Sequence, residues 1–129
     1  EKLDELRQRN NVKIVEDMEY TELPQAINCF DVCLIPYHVK GENNGTCPTK
    51  FIEYCAVGKP VISTRLPGIG KFEGLARLSD SPIEFSRMIE NQMNKVNQTA
   101  ERQRKLARLS APSSFLRKFS EQLESNSKN

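Results

Sequence analysis

Apolar residues in this chain fall into short clusters separated by polar, turn-rich stretches, and the clusters alternate between two periods. "NVKIV" at 11–15 is a β-rich run, "TELPQAINCF" at 21–30 has helical spacing, and "DVCLIPY" at 31–37 reads as a buried strand. The polar loop "HVKGENNG" (38–45) follows, then a helix "PTKFIEYCAV" (48–57), a strand "PVIST" (60–64), a loop "RLPGIGKFEG" (65–74) and a strand "LARLS" (75–79). Continuously apolar strands separated by helices belong to parallel sheets covered by those helices. The predicted fold class is α/β, a parallel sheet flanked by helices.

Beyond Asp80 the period becomes helical throughout. "SPIEFSRMIENQMNKV" places Ser81 at the N-cap, Pro82 at the first helical position and Glu84 three residues past the cap, a capping box ahead of the stripe Ile83, Phe85, Met88 and Ile89. "TAERQRKLARLS" and "SSFLRKFSEQLES" continue as helices, broken at Ala111-Pro112. Residues 1–90 therefore read as the α/β unit and 91–129 as a helical extension of the same domain. Arg102, Arg104, Lys105, Arg108, Arg117 and Lys118 form a basic stretch. It reads as a solvated helix face, with peripheral contact to an anionic membrane as the alternative. The final "SNSKN" has the composition of a frayed end.

Composition narrows the class. With 129 residues, 37% hydrophobic and 28% charged, the chain fits one globular domain with a modest core. Its 19 basic and 17 acidic residues leave a net charge of +2, too balanced to point to nucleic acid. No apolar run is long enough to span a bilayer, and "EKLDELRQRN" is polar and amphipathic, without the apolar core of a secretory signal. The cysteines Cys29, Cys33, Cys47 and Cys55 match no zinc spacing, and His38 is the sole histidine. Cys33 and Cys55 lie in apolar settings, so the expectation is reduced, structural thiols in a cytoplasmic protein. A Cys47/His38 nucleophile pair is the alternative, but no third group is placed to orient it.

The stretch "NNGTCPTKFIEYCAVGKPVIST" (43–64) concentrates the candidate chemistry. In parallel α/β sheets, ligands sit beyond the carboxyl ends of strands, where loops lead into helix N-termini. Thr46 or Cys47 would cap the helix, with Pro48 in its first turn. The free N–H groups of that helix end, beside Thr49 and Lys50, suit a phosphate. Glu53 falls on the same helical face as Thr49 and Lys50, where a carboxylate can accept two hydrogen bonds from a vicinal diol such as a ribose. An exposed Glu53 paired with Lys50 is the plainer alternative.

These residues together resemble the C-terminal nucleotide-sugar-binding domain of GT-B glycosyltransferases, in particular the retaining family 4, whose helix reads Pro-x-Lys-x-x-Glu-Tyr-x-Ala-x-Gly-x-Pro-Val. Pro48, Lys50, Glu53, Tyr54, Ala56, Gly58, Pro60 and Val61 fill every named position. Upstream, "VKIVEDMEYTELPQAI" is similar to the family's strand, donor-base loop and helix start, through Tyr20, Glu22, Leu23 and Pro24. The likeness covers roughly residues 11 to 90. It implies a partial GT-B C-terminal domain, a Rossmann-like parallel sheet with C-terminal helices. Glu53 would hold the ribose and Pro48, Thr49 and Lys50 would face the diphosphate. Gly45 and Thr46 would border the sugar, and Asp17 and Met18 would touch the base.

Two departures stand out. Many family members carry a glutamate where this chain has Gly45, and usually a glycine where it has Glu16. At about 100–200 residues per domain, the chain is also too short for both domains of a GT-B enzyme. By resemblance the N-terminal acceptor domain is absent, as are the opening strands of this domain, which would lie between the "NVKIV" and "DVCLIPY" strands. The implied function is a glycosyltransferase fragment, inactive alone, binding a nucleotide diphosphate sugar. A UDP-sugar is expected ahead of a GDP-sugar, for transfer to a saccharide or lipid-linked acceptor in polysaccharide biosynthesis. No metal or other cofactor is implied, since no Asp-x-Asp pair lies near the site. The alternative from another class is a non-catalytic α/β interaction module. A receiver would need acids clustered at strand ends where Pro36 and Tyr37 stand, and a flavodoxin would need a Ser/Thr-rich loop in place of "EDMEY".

Overall fold

In the computed structural model, which describes residues 2–39, 48–72, 74–110, 121 and 124, three short parallel strands carry the architecture. They are β1 (Cys33–Ile35), β2 (Val61–Ser63) and β3 (Arg77–Leu78), hydrogen-bonded in that order. Cys33 pairs with Val61 and Ile35 with Ser63, while Ile62 pairs with Arg77. Around them lie α1 (Lys2–Arg7), α2 (Leu23–Asn28), α3 (Thr49–Val57), α4 (Pro67–Gly70), α5 (Pro82–Gln92) and α6 (Ala100–Ser110). The expected α/β class and the parallel sheet flanked by helices are both observed.

β2 is buried along its whole length, as a central strand covered on both faces should be. On β1, Cys33 and Ile35 are buried while Leu34 is exposed, which marks this strand as an edge with one covered face. The core gathers Ile27 from α2, Cys33 and Ile35 from β1, Phe51, Cys55 and Val57 from α3, and Ala107 from α6. Burying an aliphatic or aromatic side chain of this kind contributes about 1.5–3 kcal/mol each.

Three expectations need correction. The 11–15 run forms no strand: Val15 is exposed, and no described strand lies beside it. A β-rich sequence becomes a strand only when a neighbour takes its backbone hydrogen bonds, and among the described residues β1 pairs only with β2. The helix expected at 21–30 begins instead as a 3-10 turn at Tyr20–Glu22 and becomes α-helical at Leu23, with Pro24 in its first turn. The expected loop 65–74 contains α4, which packs Leu66 and Ile69 fully into the core and stacks Phe72 on Phe51 at 5.8 Å between centroids. Leu66, Ile69 and Phe72 recur at three-residue spacing, a signal that the intervening Pro67, Gly68 and Gly70 disguise.

The α5 start follows the sequence in one half of its capping box. Ser81 occupies the N-cap and accepts from the Glu84 N–H at 3.4 Å. The return half is relayed: the Ser81 N–H donates to Ser79 Oγ at 3.1 Å, and that hydroxyl donates to Glu84 Oε2. Ser79 is fully buried at the end of β3, so the relay ties sheet to helix.

Candidate functional site

Glu53 occupies the second turn of α3 between Phe51 and Cys55, both fully buried, and keeps only 7% of its surface exposed. Because α2 and α6 flank α3 as well as the sheet, the helix is covered on more than one side. Burial lifts the Glu53 carboxyl above the ordinary glutamate value, and the Lys50 ammonium one turn earlier pulls it partly back. The Glu53 charge also reaches two phenols. Tyr20 is pushed up to about 12 by burial and then by Glu53, and Tyr54 to about 12 by burial, Cys33, Glu53 and Tyr37.

The reading of Glu53 as an exposed partner of Lys50 is overturned. Lys50 is exposed, Glu53 is not, and among the described residues no ion pair or hydrogen bond holds the Glu53 carboxylate. The packing of α3 on its neighbours turns the glutamate inward, which helical spacing alone does not reveal.

The cap of α3 also differs from expectation. Pro48 itself is the N-cap, in extended conformation (φ −61°, ψ 137°), and among the described residues no side chain caps the helix. Its ring-locked φ suits that conformation, and its carbonyl accepts the Phe51 N–H at 3.0 Å. Thr49 and Lys50 thus open the helix as exposed residues ahead of Glu53. Gly45, Thr46 and Cys47 lie outside the described residues.

Asp17 and Met18 are exposed, in the segment leading to the 3-10 turn. Next to Glu16, which stands where the family usually has a glycine, Asp17 has φ 56°, a left-handed conformation that Asp tolerates better than most. Glu16 is held by Arg7 of α1 at 2.9 Å, and both side chains are exposed. Tyr20, three residues after Asp17, brings this segment toward Glu53. The structure thus assembles Pro48, Thr49, Lys50 and Glu53 on one helix with Tyr20 beside them, and leaves Asp17 and Met18 on the adjoining surface.

At the carboxyl ends of the strands a hollow of ≈300 Å³ is lined by Pro36, Thr64, Ser79, Asp80, Phe85 and Ser86. Its floor is fixed by hydrogen bonds from Ser63 Oγ to the Ile35 carbonyl (3.2 Å) and from Thr64 Oγ1 to the Tyr37 carbonyl (2.7 Å). Asp80 Oδ1 accepts the Arg65 N–H at 2.9 Å. Cys33 and Cys55 are buried free thiols as expected, and burial pushes Cys33 up to about 12, which keeps it un-ionised at neutral pH.

The far end of α3 holds what the sequence reading missed. Gly58 adopts the left-handed conformation (φ 75°) and its N–H reaches the Tyr54 and Cys55 carbonyls at 3.0 Å. The next carbonyls are taken by α6 and the loop before it. Asn97 Nδ2 donates to Gly58 O at 2.8 Å, and Gln103 Nε2 to Lys59 O at 3.0 Å and Leu75 O at 2.9 Å. Arg104 Nη2 approaches Val57 O at 3.5 Å, where a cation suits the helix dipole. Within the basic stretch, then, Arg104 reaches back to α3 while Arg102, Lys105 and Arg108 remain exposed. Gln103 stood at helical spacing between Ala100 and Ala107, a polar residue on an otherwise small, packing face, and that spacing was the available signal.

Residues 1–94 match the family described as glycosyl transferases group 1. A protein of Bacillus subtilis (strain 168) named as a teichuronic acid biosynthesis glycosyltransferase, TuaH, is 35% identical over 52 residues, which are 40% of this chain and 13% of that protein. No solved structure gives a significant match.

Proposed function

The chain belongs to the group 1 glycosyl transferases, and from that membership we propose that the start of α3 binds the nucleotide diphosphate of a sugar donor, a UDP-sugar ahead of a GDP-sugar. The observation that carries this reading is Glu53, whose residue keeps only 7% of its surface exposed while its carboxylate, which no described residue holds, stays open to the surface rather than sealed in the core. A buried acceptor of this kind gains most from a ligand that brings its own donors, and a ribose diol brings two.

In this reading the Thr49 and Lys50 N–H groups and the Lys50 ammonium face the diphosphate beside Pro48, and Gly45 and Thr46 border the sugar. Asp17 and Met18 lie against the base. In the transfer, the bond from the glycosyl carbon to the diphosphate oxygen breaks and one to an acceptor oxygen forms. The acceptor hydroxyl loses its proton and the nucleoside diphosphate departs. The acceptor is a saccharide or lipid-linked chain. The work is cytoplasmic, at the membrane periphery when the acceptor is lipid-linked. The relative named for teichuronic acid biosynthesis supports a biosynthetic transfer.

Amide NMR titration with UDP, GDP and inorganic phosphate, repeated on Glu53→Ala, tests the reading. Shifts clustered at Lys50, Glu53 and 16–18, stronger with one base and weakened by the substitution, are expected. Equal response to both nucleotides and to phosphate, unchanged in Glu53→Ala, would reduce the likeness to one of fold.

A further inference from the structure

At the opposite end of α3 from Lys50 lies a second hollow, of ≈490 Å³, within the range of about 300–1,000 Å³ common for small-molecule sites. Its walls are the entry to β2 at Pro60 and Val61, the entry to β3 at 74–77, and the 92–99 segment joining α5 to α6. Arg77 and Lys95 line it, and among the described residues no aspartate or glutamate does. Among the described residues neither cation forms an ion pair. The wall is built rather than loose. Asn97 Nδ2 is fixed by Gly58 O and Gln103 Oε1, both at 2.8 Å, while Asn97 Oδ1 accepts from Thr99 N at 3.3 Å and Thr99 Oγ1 at 2.9 Å. Asn94, with φ 64°, turns the chain out of α5 toward this wall.

We propose that this hollow is a binding site for a small phosphorylated ligand of sugar-phosphate size, separate from the donor site. Two unpaired cations match the roughly double charge of a phosphate monoester near neutral pH. The Gln92 and Gln98 amides can take the hydroxyls of a polyol, and Pro60 and Val61 give its carbon skeleton an apolar wall. The volume admits a hexose phosphate with its first waters, and the described lining residues carry positive charge without an opposing carboxylate. The site depends on none of the residues assigned to the donor, so the two readings stand or fall apart.

The test is an amide NMR titration of the whole 129-residue chain with glucose 6-phosphate, inorganic phosphate and glucose, following 74–77 and 92–99 alongside Lys50 and Glu53. Glucose 6-phosphate is expected to move the 74–77 and 92–99 amides in a saturable way, more tightly than inorganic phosphate, with glucose inert. The double variant Arg77→Gln/Lys95→Gln replaces two exposed side chains, and it should weaken the binding at least about ten-fold while leaving the folded spectrum intact. Shifts confined to the Lys50 end, equal binding of inorganic phosphate, or an unaffected double variant would each overturn the assignment.

Discussion

Asn97 donates to Gln103 Oε1 at 2.8 Å, and through this contact the two side-chain amides act as one unit that holds three backbone carbonyls, those of Gly58, Lys59 and Leu75. Each amide uses both of its N–H donors. Gln103 is fully buried, and its bond to the Leu75 carbonyl lies out of reach of water, while the other bonds of the unit are part-buried. It joins α6 to the α3–β2 turn and to the entry of β3, behind the helix that presents Glu53.

Replacing Gln103 with methionine keeps the volume and removes the polar partners. The Leu75 carbonyl would then be buried without this bond, and the part-buried Lys59 carbonyl and one Asn97 N–H would lose theirs. A loss on the order of 3 kcal/mol in unfolding free energy is expected, read by urea denaturation. A loss under about 0.5 kcal/mol, within the ordinary range for surface substitutions, would mean that water enters the site and serves the carbonyls instead.

Gly58→Ala separates backbone strain from crowding. At φ 75° a Cβ is disfavoured whatever the space, and here it would also lie 2.8 Å from Arg104 Cζ. The guanidinium is the far end of a flexible side chain and can move, so the backbone term of about 1–2 kcal/mol should dominate. The double variant Gly58→Ala/Arg104→Ala should recover little of that loss in the same denaturation assay. A full recovery would assign the effect to the clash.

Ser79→Ala breaks the relay between Ser81 and Glu84 while leaving the direct bond from the Glu84 N–H to Ser81 Oγ in place. Destabilisation of about 1 kcal/mol is expected, with faster amide exchange in the first turn of α5. Ser81→Ala should act on the same turn, and the two losses should not add, because both residues belong to one hydrogen-bonded chain.

The Glu53 carboxyl gives a pH dependence whose sign is fixed. Its folded pKa is raised above 4.5, chiefly by burial, so the folded state holds this proton more tightly than the unfolded chain does. The resulting stability is complete below the unfolded value and is lost as pH rises through the folded one. Glu53→Gln should therefore gain thermal stability relative to the parent as pH rises from 4.5 toward neutrality, with the gain fading at lower pH. A difference independent of pH would show that the carboxylate is well solvated in the folded chain.

Much of the architecture was legible from local pattern. "DVCLIPY" and "PVIST" announced buried parallel strands because continuous apolar runs of that length have few other uses, and Ser81-Pro82 marked the start of α5 through capping chemistry. The candidate site was legible as a motif, Pro48 through Val61, but not in its surroundings. The burial of Glu53, its neighbour Tyr20 and the left-handed turn at Asp17 depend on how α3 is covered and how the 16–20 segment meets it. The 11–15 run misled for the same reason, since β propensity states a preference that only a neighbouring strand can satisfy.

What the sequence determined by itself is therefore what short-range chemistry controls: which stretches alternate as strand or helix, where Gly58 can end α3, and which side chains could meet a phosphate or a diol. Tertiary structure alone decided which of those side chains lose water. Glu53 became a buried acceptor because α2, α6 and the sheet close around α3, and Gln103 became a structural clamp because carbonyls from two distant segments converge on it. Desolvation and convergence belong to the packed chain, and no window of a few residues contains them.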